Sequence, residues 1–289
     1  MERRVSTRAQ IEADPLILSA GPSPGAITER ILGQADQAGY RAALIDAIDG
    51  TATAWPRFAR TVRAAAHGLS QRGLADGDTV GVFVQDAASF AVALNAIRAA
   101  GAVALPIRLD ACATDIAARL NACGARLLIT AAPLADLATE AADRSRVRQV
   151  FSFGEASGTT PFSSLLETTK HGQPDENGPW RGLAAARWLE EAGRTHTDGP
   201  DRDRLTFSDG PNPDAGLTHR DVVVAAPPCG DGQAYTALLD LTLLTGATIV
   251  AAPVPLVTAA MRIYRGTAAI VPRGTHVPDI APARVFTVA

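Results

Sequence analysis

Phe90-Ala-Val-Ala-Leu-Asn-Ala-Ile-Arg-Ala-Ala-Gly-Ala-Val-Ala-Leu-Pro-Ile107 decides the fold of this chain. Ser89 to Ala100 read as a helix and Ala102 to Leu105 as a strand, joined by Gly101, where a left-handed helix stop favours glycine. The same helix, glycine and strand sentence recurs on both sides. Upstream, Ala43–Ile48 reads as a strand, Trp55–Arg72 as a helix closed by Gly73, and Thr79–Val84 as a strand. Downstream come a helix at Asp115–Cys123 closed by Gly124, a strand at Arg126–Thr130, a helix at Pro133–Asp143 and a strand at Val147–Phe153. Strands separated by helices of this length need crossover connections and therefore pair in parallel. The reading is a doubly wound, mostly parallel α/β sheet with helices on both faces.

Between Lys170 and Arg204 the composition turns to Gly, Pro and charge, with one expected helix at Leu183–Ala192. Alternation then resumes with a strand at Leu205–Ser208, a helix near Gln233–Thr245 and a strand at Ala247–Ala252. A helix near Val257–Tyr264 and strands at Ala268–Val271 and Arg284–Val288 follow. The expected organisation is a tail over 1–24, an α/β region over 25–169, a linker over 170–203 and a continuation of the same α/β domain over 204–289.

Bulk properties exclude several functions. The 289 residues carry 27 Lys and Arg against 30 Asp and Glu, a net charge of −3, which gives no basic surface for nucleic acid. No uninterrupted apolar run approaches the ~20 residues that span a bilayer. Cys112, Cys123 and Cys229 are odd in number and far apart, which fits neither a zinc site nor a disulfide framework and points to a reducing cytosol. His67, His171, His196 and His276 lack metal-ligand spacing, so no metal is expected. Lys170 is the only lysine, so any chemistry that requires a lysine at a fixed place has a single candidate.

Five stretches, in order, resemble the amino-terminal part of the adenylate-forming superfamily, the acyl- and aryl-CoA ligases, luciferases and peptide-synthetase adenylation domains. They are Trp55 to Leu69, Gly73 to Val82, the quoted Phe90 to Ile107, Leu217-Thr-His-Arg-Asp-Val-Val223 and Leu244-Thr-Gly-Ala-Thr-Ile-Val250. The resemblance spans roughly residues 25 to 289. It implies a Ser/Thr/Gly-rich loop with a lysine just before Leu217-Thr218-His219, cradling ATP phosphates with backbone N–H groups, hydroxyls and a cation.

The corresponding text here is Leu205-Thr-Phe-Ser208-Asp209-Gly210-Pro211-Asn212-Pro213-Asp214-Ala215-Gly216-Leu217-Thr218-His219. Ser208, Gly210, Gly216, Thr218 and His219 keep the pattern. The loop is shorter than the family's, Pro211 and Asn212 replace threonines, and no lysine precedes Gly216. Pro211 and Pro213 have no N–H to donate. Asp209 and Asp214 add negative charge, and a like-charge contact at ~4 Å costs on the order of 1–4 kcal/mol. Ser208, Asp209, Gly210, Gly216, Thr218 and His219 are thus the residues of a vestigial ligand loop.

Ser157-Gly158-Thr159-Thr160-Pro161 spells the start of a phosphate loop but stands in the wrong place and lacks the later glycine and lysine. Cys229 has only Asp231 beside it, which argues for a plain thiol over a nucleophile. His219 reads as a residue that pins the start of a helix. The resemblance also implies a second subdomain and a mobile carboxy-terminal domain with a further lysine, which would lie beyond Ala289.

The expectation is a truncated, degenerate ligase homologue without adenylation activity and without cofactors. It would act as a scaffold for a partner protein or a second copy of itself, through a face left uncovered, or for a small acyl or aryl ligand. The alternative is part of a split or repurposed acyl- or aryl-CoA ligase completed by another chain, in which case ATP or AMP and CoA would bind.

Overall fold

A computed structural model describes residues 24–167, 206–207, 217–228, 232–275 and 284–288. Within them the chain runs α1 (Pro24–Ala38), β1 (Ala42–Asp46), β2 (Ala52–Ala54), α2 (Trp55–Gln71), β3 (Thr79–Phe83), α3 (Ala87–Ala99) and β4 (Val103–Pro106). Next come α4 (Ala113–Ala122), β5 (Leu127–Ala131), α5 (Ala135–Asp143), β6 (Gln149–Phe153) and β7 (Thr160–Pro161). The remainder is β8 (Thr206–Phe207), β9 (Val222–Ala225), α6 (Gly232–Leu244), β10 (Thr248–Ala251), α7 (Val257–Ile263), β11 (Ala268–Pro272) and β12 (Arg284–Val288). The helix expected at Leu183–Ala192 lies outside the described residues.

The strands are divided between two sheets. The first has the order β2-β1-β10-β9-β11-β12-β8, parallel throughout its interior, with β2 and β8 antiparallel at the edges. The second, β4-β3-β5-β6-β7, is wholly parallel. The parallel architecture with helices on both faces is therefore present, but as two sheets rather than one. Alternating pattern specifies crossovers; it does not specify which strands share hydrogen bonds. After β2 the chain leaves β1 and starts the second sheet, and β1 gains its other neighbour only when Leu44 pairs with Ile249.

Three apolar clusters mark the layers. The largest lies between the sheets and joins α1, α2, α3 and α6 to the inner faces of both. A second packs α4 and α5 on the outer face of the second sheet, and a third packs α7 on the outer face of the first. Sequence follows this layering. β9 (Val-Val-Val-Ala) and β10 (Thr-Ile-Val-Ala) are near-continuous apolar runs, because both faces of a covered parallel strand are buried. α2 buries one stripe, Trp55, Phe58, Ala59, Val62, Ala65, Ala66 and Leu69. α3 is buried on nearly every side from Phe90 to Arg98, as a helix between two sheets must be.

Several polar groups enclosed in the central layer are paired, whereas the Trp55 indole N–H and the Thr236 hydroxyl have no hydrogen-bond partner among the described residues. Arg98 of α3 donates through Nη1 to both carboxylate oxygens of Asp240 on α6, at 2.8 and 2.9 Å. Burial pushes the Asp240 carboxyl up, and Arg98 works against that rise. Thr28 donates to Asn95 at 3.0 Å, and Asn95 donates in turn to the Ala91 carbonyl. Tyr235 packs edge-on against Phe90 and donates its hydroxyl to the Ala226 carbonyl at 2.6 Å. Asp86 caps α3 by accepting from the Ser89 N–H at 2.6 Å. Gly101 has φ +77°, the left-handed region that glycine enters without strain.

Candidate functional site

Ser208, Asp209, Gly210 and Gly216 lie outside the described residues, as do Cys229 and Asp231. Their flanks are described. β8 pairs with β12 so that Phe207 stands opposite Phe286, and the chain re-enters at Leu217 just before β9. Both flanks thus come in at the edge of the first sheet where β9 and β12 begin.

Thr218 and His219 do not start a helix. Thr218 to Asp221 form a turn, closed by the Asp221 N–H donating to the Thr218 carbonyl at 3.0 Å, that feeds straight into β9. The expectation for His219 is corrected accordingly: its exposed ring stands on this turn, and its carbonyl accepts from the Arg41 guanidinium. The local text explains the contrast. Thr218-x-x-Asp221 is a helix-capping pattern, but it is followed by Val222, Val223 and Val224, whose β-branched side chains favour a strand.

Asp221 is the centre of the site, and the sequence reading passed over it. Its carboxylate accepts from the Thr218 N–H at 2.6 Å and from the Thr218 hydroxyl at 2.9 Å. It also accepts from the Thr267 hydroxyl at 2.7 Å and the Arg284 guanidinium at 2.5 Å. Thr267 precedes β11 and Arg284 opens β12, so one carboxylate ties together the starts of β9, β11 and β12. Burial opposes its charge, but the bonds from Thr267, Thr218 and Arg284 outweigh burial and hold the Asp221 carboxyl below its usual range. Because the folded value is the lower one, this bond set contributes fully above the ordinary aspartate value near 3.8 and is lost as pH falls through the folded value. Urea midpoints followed downward from neutral pH should therefore begin to fall near that ordinary value, with a smaller fall in Asp221→Asn.

In chemical terms the site is a donor cluster already occupied by an internal anion. Two hydroxyls, a backbone N–H and a guanidinium converging on one point could hold phosphate oxygens, but here all four face a carboxylate of the chain itself. Among the described residues there is no group of His, Cys, Asp and Glu able to hold a metal ion. No described helix is long and apolar enough to cross a membrane. Ser157-Gly158-Thr159-Thr160-Pro161 forms a turn and then β7, with the Thr159 hydroxyl donating to the Ala156 carbonyl at 2.8 Å, as befits a surface connection.

Solved structures share this fold. A long-chain-fatty-acid-CoA ligase from Archaeoglobus fulgidus is 18% identical with a TM-score of 0.63, over 85% of this chain and 51% of that one. A benzoate CoA ligase from Burkholderia xenovorans is 16% identical with a TM-score of 0.64, over 89% and 54%. The N-terminal domain of FACL13 from Mycobacterium tuberculosis, solved with an inhibitor, is 16% identical with a TM-score of 0.61, over 88% and 67%. At such identities the likeness speaks for the fold alone, and the chain spans about half the length of the ligase from Archaeoglobus. A search of curated proteins gives no match. The sequence profile of the AMP-binding enzymes matches residues 32–198, somewhat more than half of the chain, and ends before Ser208. By that match, and with the two-sheet fold behind it, the chain belongs to the AMP-binding enzyme family.

Proposed function

We propose that this member of the family no longer forms adenylates and serves as a scaffold that binds another protein chain or a small acyl or aryl molecule. The observation that carries this reading is the loop text before Gly216, with Asp209, Pro211, Pro213 and Asp214 and without a lysine, and the donor set at Asp221 beside it adds to the reading. A triphosphate would have to compete for Thr218 and Arg284 with a carboxylate fixed within 3 Å of both. The segment leading to that turn adds two carboxylates, Asp209 and Asp214, contributes two prolines without N–H groups, and holds no lysine. Each missing hydrogen bond to a charged group forfeits about 1.5–3 kcal/mol. At ~1.4 kcal/mol per tenfold, loss of a cation and two donors lowers triphosphate affinity by several orders of magnitude.

Calorimetric titration with Mg·ATP, AMP and CoA, together with pyrophosphate exchange over a panel of aliphatic and aromatic acids, tests the reading. No exchange and no adenylate are expected. Exchange by the chain alone would overturn the proposal, and exchange appearing only when another chain is added would replace it with the split-ligase alternative.

For the scaffold role, the exposed apolar side chains around α7 are one contact, with Tyr40 and Ile48 exposed elsewhere. Ile263 is 72% exposed, and Val254 and Leu256 stand clear of the core on the same side of the first sheet. A contiguous apolar patch left in water, rather than a single side chain, marks an interaction surface, and Val254, Leu256 and Ile263 are close in sequence. A second copy of the chain is the first candidate partner, and sedimentation showing a monomer at all concentrations would remove it.

A further inference from the structure

We propose that the amino-terminal edge of the second sheet holds a binding site for a small soluble anion bearing a diphosphate group. The strands β5 and β6 begin there side by side. Arg126 immediately precedes β5 and Arg148 immediately precedes β6. The two are adjacent in register, with the Arg148 N–H donating to the Arg126 carbonyl at 2.8 Å. Side chains alternate along a strand. Arg126 shares its face with Leu128, and Arg148 with Val150, both of which belong to the outer cluster under α4 and α5. The two guanidinium groups therefore leave the same face of neighbouring strands, whose backbones lie ~4.8 Å apart. Arg146 joins them, and with Gly124 the three arginines line an open cavity of about 640 Å³. That is within the ~300–1,000 Å³ of small-molecule sites.

Three features make this a site rather than a solvated rim. First, the backbone beneath it is fixed. The Asn121 carboxamide accepts from the Arg146 N–H at 3.0 Å and donates to the Arg144 carbonyl, while the Gly124 N–H donates to the Asn121 carbonyl at 3.1 Å. Asn121 thus clamps the α4–β5 turn to the α5–β6 turn, one on each side of the cavity. Second, among the described residues no carboxylate lines the cavity and none of the three guanidinium groups makes an ion pair or a side-chain hydrogen bond. Their neighbours differ: Arg144 pairs with Glu140, and Arg108 with Asp110. Third, the position beside Gly124 faces open space, with nothing within 4 Å of where a Cβ would stand. The carbonyl end of α4 offsets part of the positive charge, but it leaves the guanidinium forks without acceptors.

Three permanent positive charges close together repel one another unless an anion lies between them, and guanidinium forks match phosphate oxygens in pairs. Pyrophosphate carries a charge of similar size and opposite sign, and a concave cavity of this volume suits a compact anion better than a peptide or a duplex. The site is on a different sheet from Asp221 and does not depend on the scaffold reading.

Calorimetric titration of the full chain with sodium pyrophosphate, with orthophosphate as the comparison, tests it. Saturable binding is expected, weaker for orthophosphate and weakened by added salt. Arg126→Gln and Arg148→Gln should each lower affinity about tenfold or more, and the double variant should abolish binding, since each removes a bidentate charged contact. Thermal melting checks that the variants stay folded, as exposed side chains permit. Absence of saturable binding in the wild-type chain, or binding unchanged in the double variant, would overturn the proposal. Preference for polyglutamate over pyrophosphate would overturn it in favour of an acidic protein surface. The double variant also keeps this site distinct from the first: nucleotide binding that vanishes in it belongs here, and binding that survives belongs near Asp221 and counts against the scaffold reading.

Discussion

Asp240→Ala is expected to lower folding stability by about 3–5 kcal/mol, the usual cost of leaving one member of a buried ion pair without its partner. The Arg98 and Asp240 side chains are only 5% and 10% exposed, so water has little access to the guanidinium once the carboxylate is gone. Chemical denaturation should show the loss as a lower midpoint with an unchanged slope. Arg98→Met combined with Asp240→Leu should recover most of the stability, because apolar replacement of a whole buried pair is often neutral or stabilising by about 1–4 kcal/mol. A cost below about 1 kcal/mol for Asp240→Ala would mean that the central layer admits water and the pair is solvated.

Phe90→Ala should cost a comparable amount, about 3–5 kcal/mol, for a different reason. Phe90 is 1% exposed and meets the Tyr235 ring edge-on at 5.6 Å between centroids, in the layer where α3 crosses α6. Its removal leaves a void flanked by both sheets, which cannot collapse without moving one sheet toward the other. Phe90→Leu should retain most of the stability, with a cost below about 1.5 kcal/mol where repacking succeeds. Phe90 and Asp240 meet different partners, Tyr235 and Arg98, so the costs of the two Ala variants should add to within about 0.5 kcal/mol. A larger departure from additivity in a double-mutant cycle would show that the two contacts are not independent.

Much of the fold was legible because its elements punctuate themselves. α2 was read as Trp55–Arg72 and ends at Gln71, and the strand read as Arg284–Val288 is β12 residue for residue. Apolar stripes and the glycines after α2, α3 and α4 carry those boundaries: Gly73, Gly101 and Gly124 all have positive φ. What stayed hidden was short, diluted or non-local. β2 and β7 are three and two residues long, too short for periodicity to register. α1 buries Ile31 and Leu32 within a polar run, a stripe too sparse to stand out. The division into two sheets depends on pairings such as Leu44 with Ile249, which leave no trace in local pattern.

At the candidate site the visible signal was misleading. Leu217-Thr218-His219 is the most recognisable text there, yet the His219 ring is exposed and makes no side-chain contact that organises the turn. The acid three residues after Thr218 gathers the bonds. Thr267 and Arg284, its other partners, are 46 and 63 residues away and join it only through strand order.

The late partnering of β1 has a consequence for biogenesis. Leu44 must wait 205 residues for Ile249, and at ~5–20 residues per second of synthesis that is a delay on the order of 10–40 s. The second sheet, with all its strands between Thr79 and Pro161, has every partner in hand long before then. The nascent chain therefore carries one finished sheet beside a lone hairpin of β1 and β2, whose open edge is exposed to chaperones, or to another nascent copy, until β10 arrives.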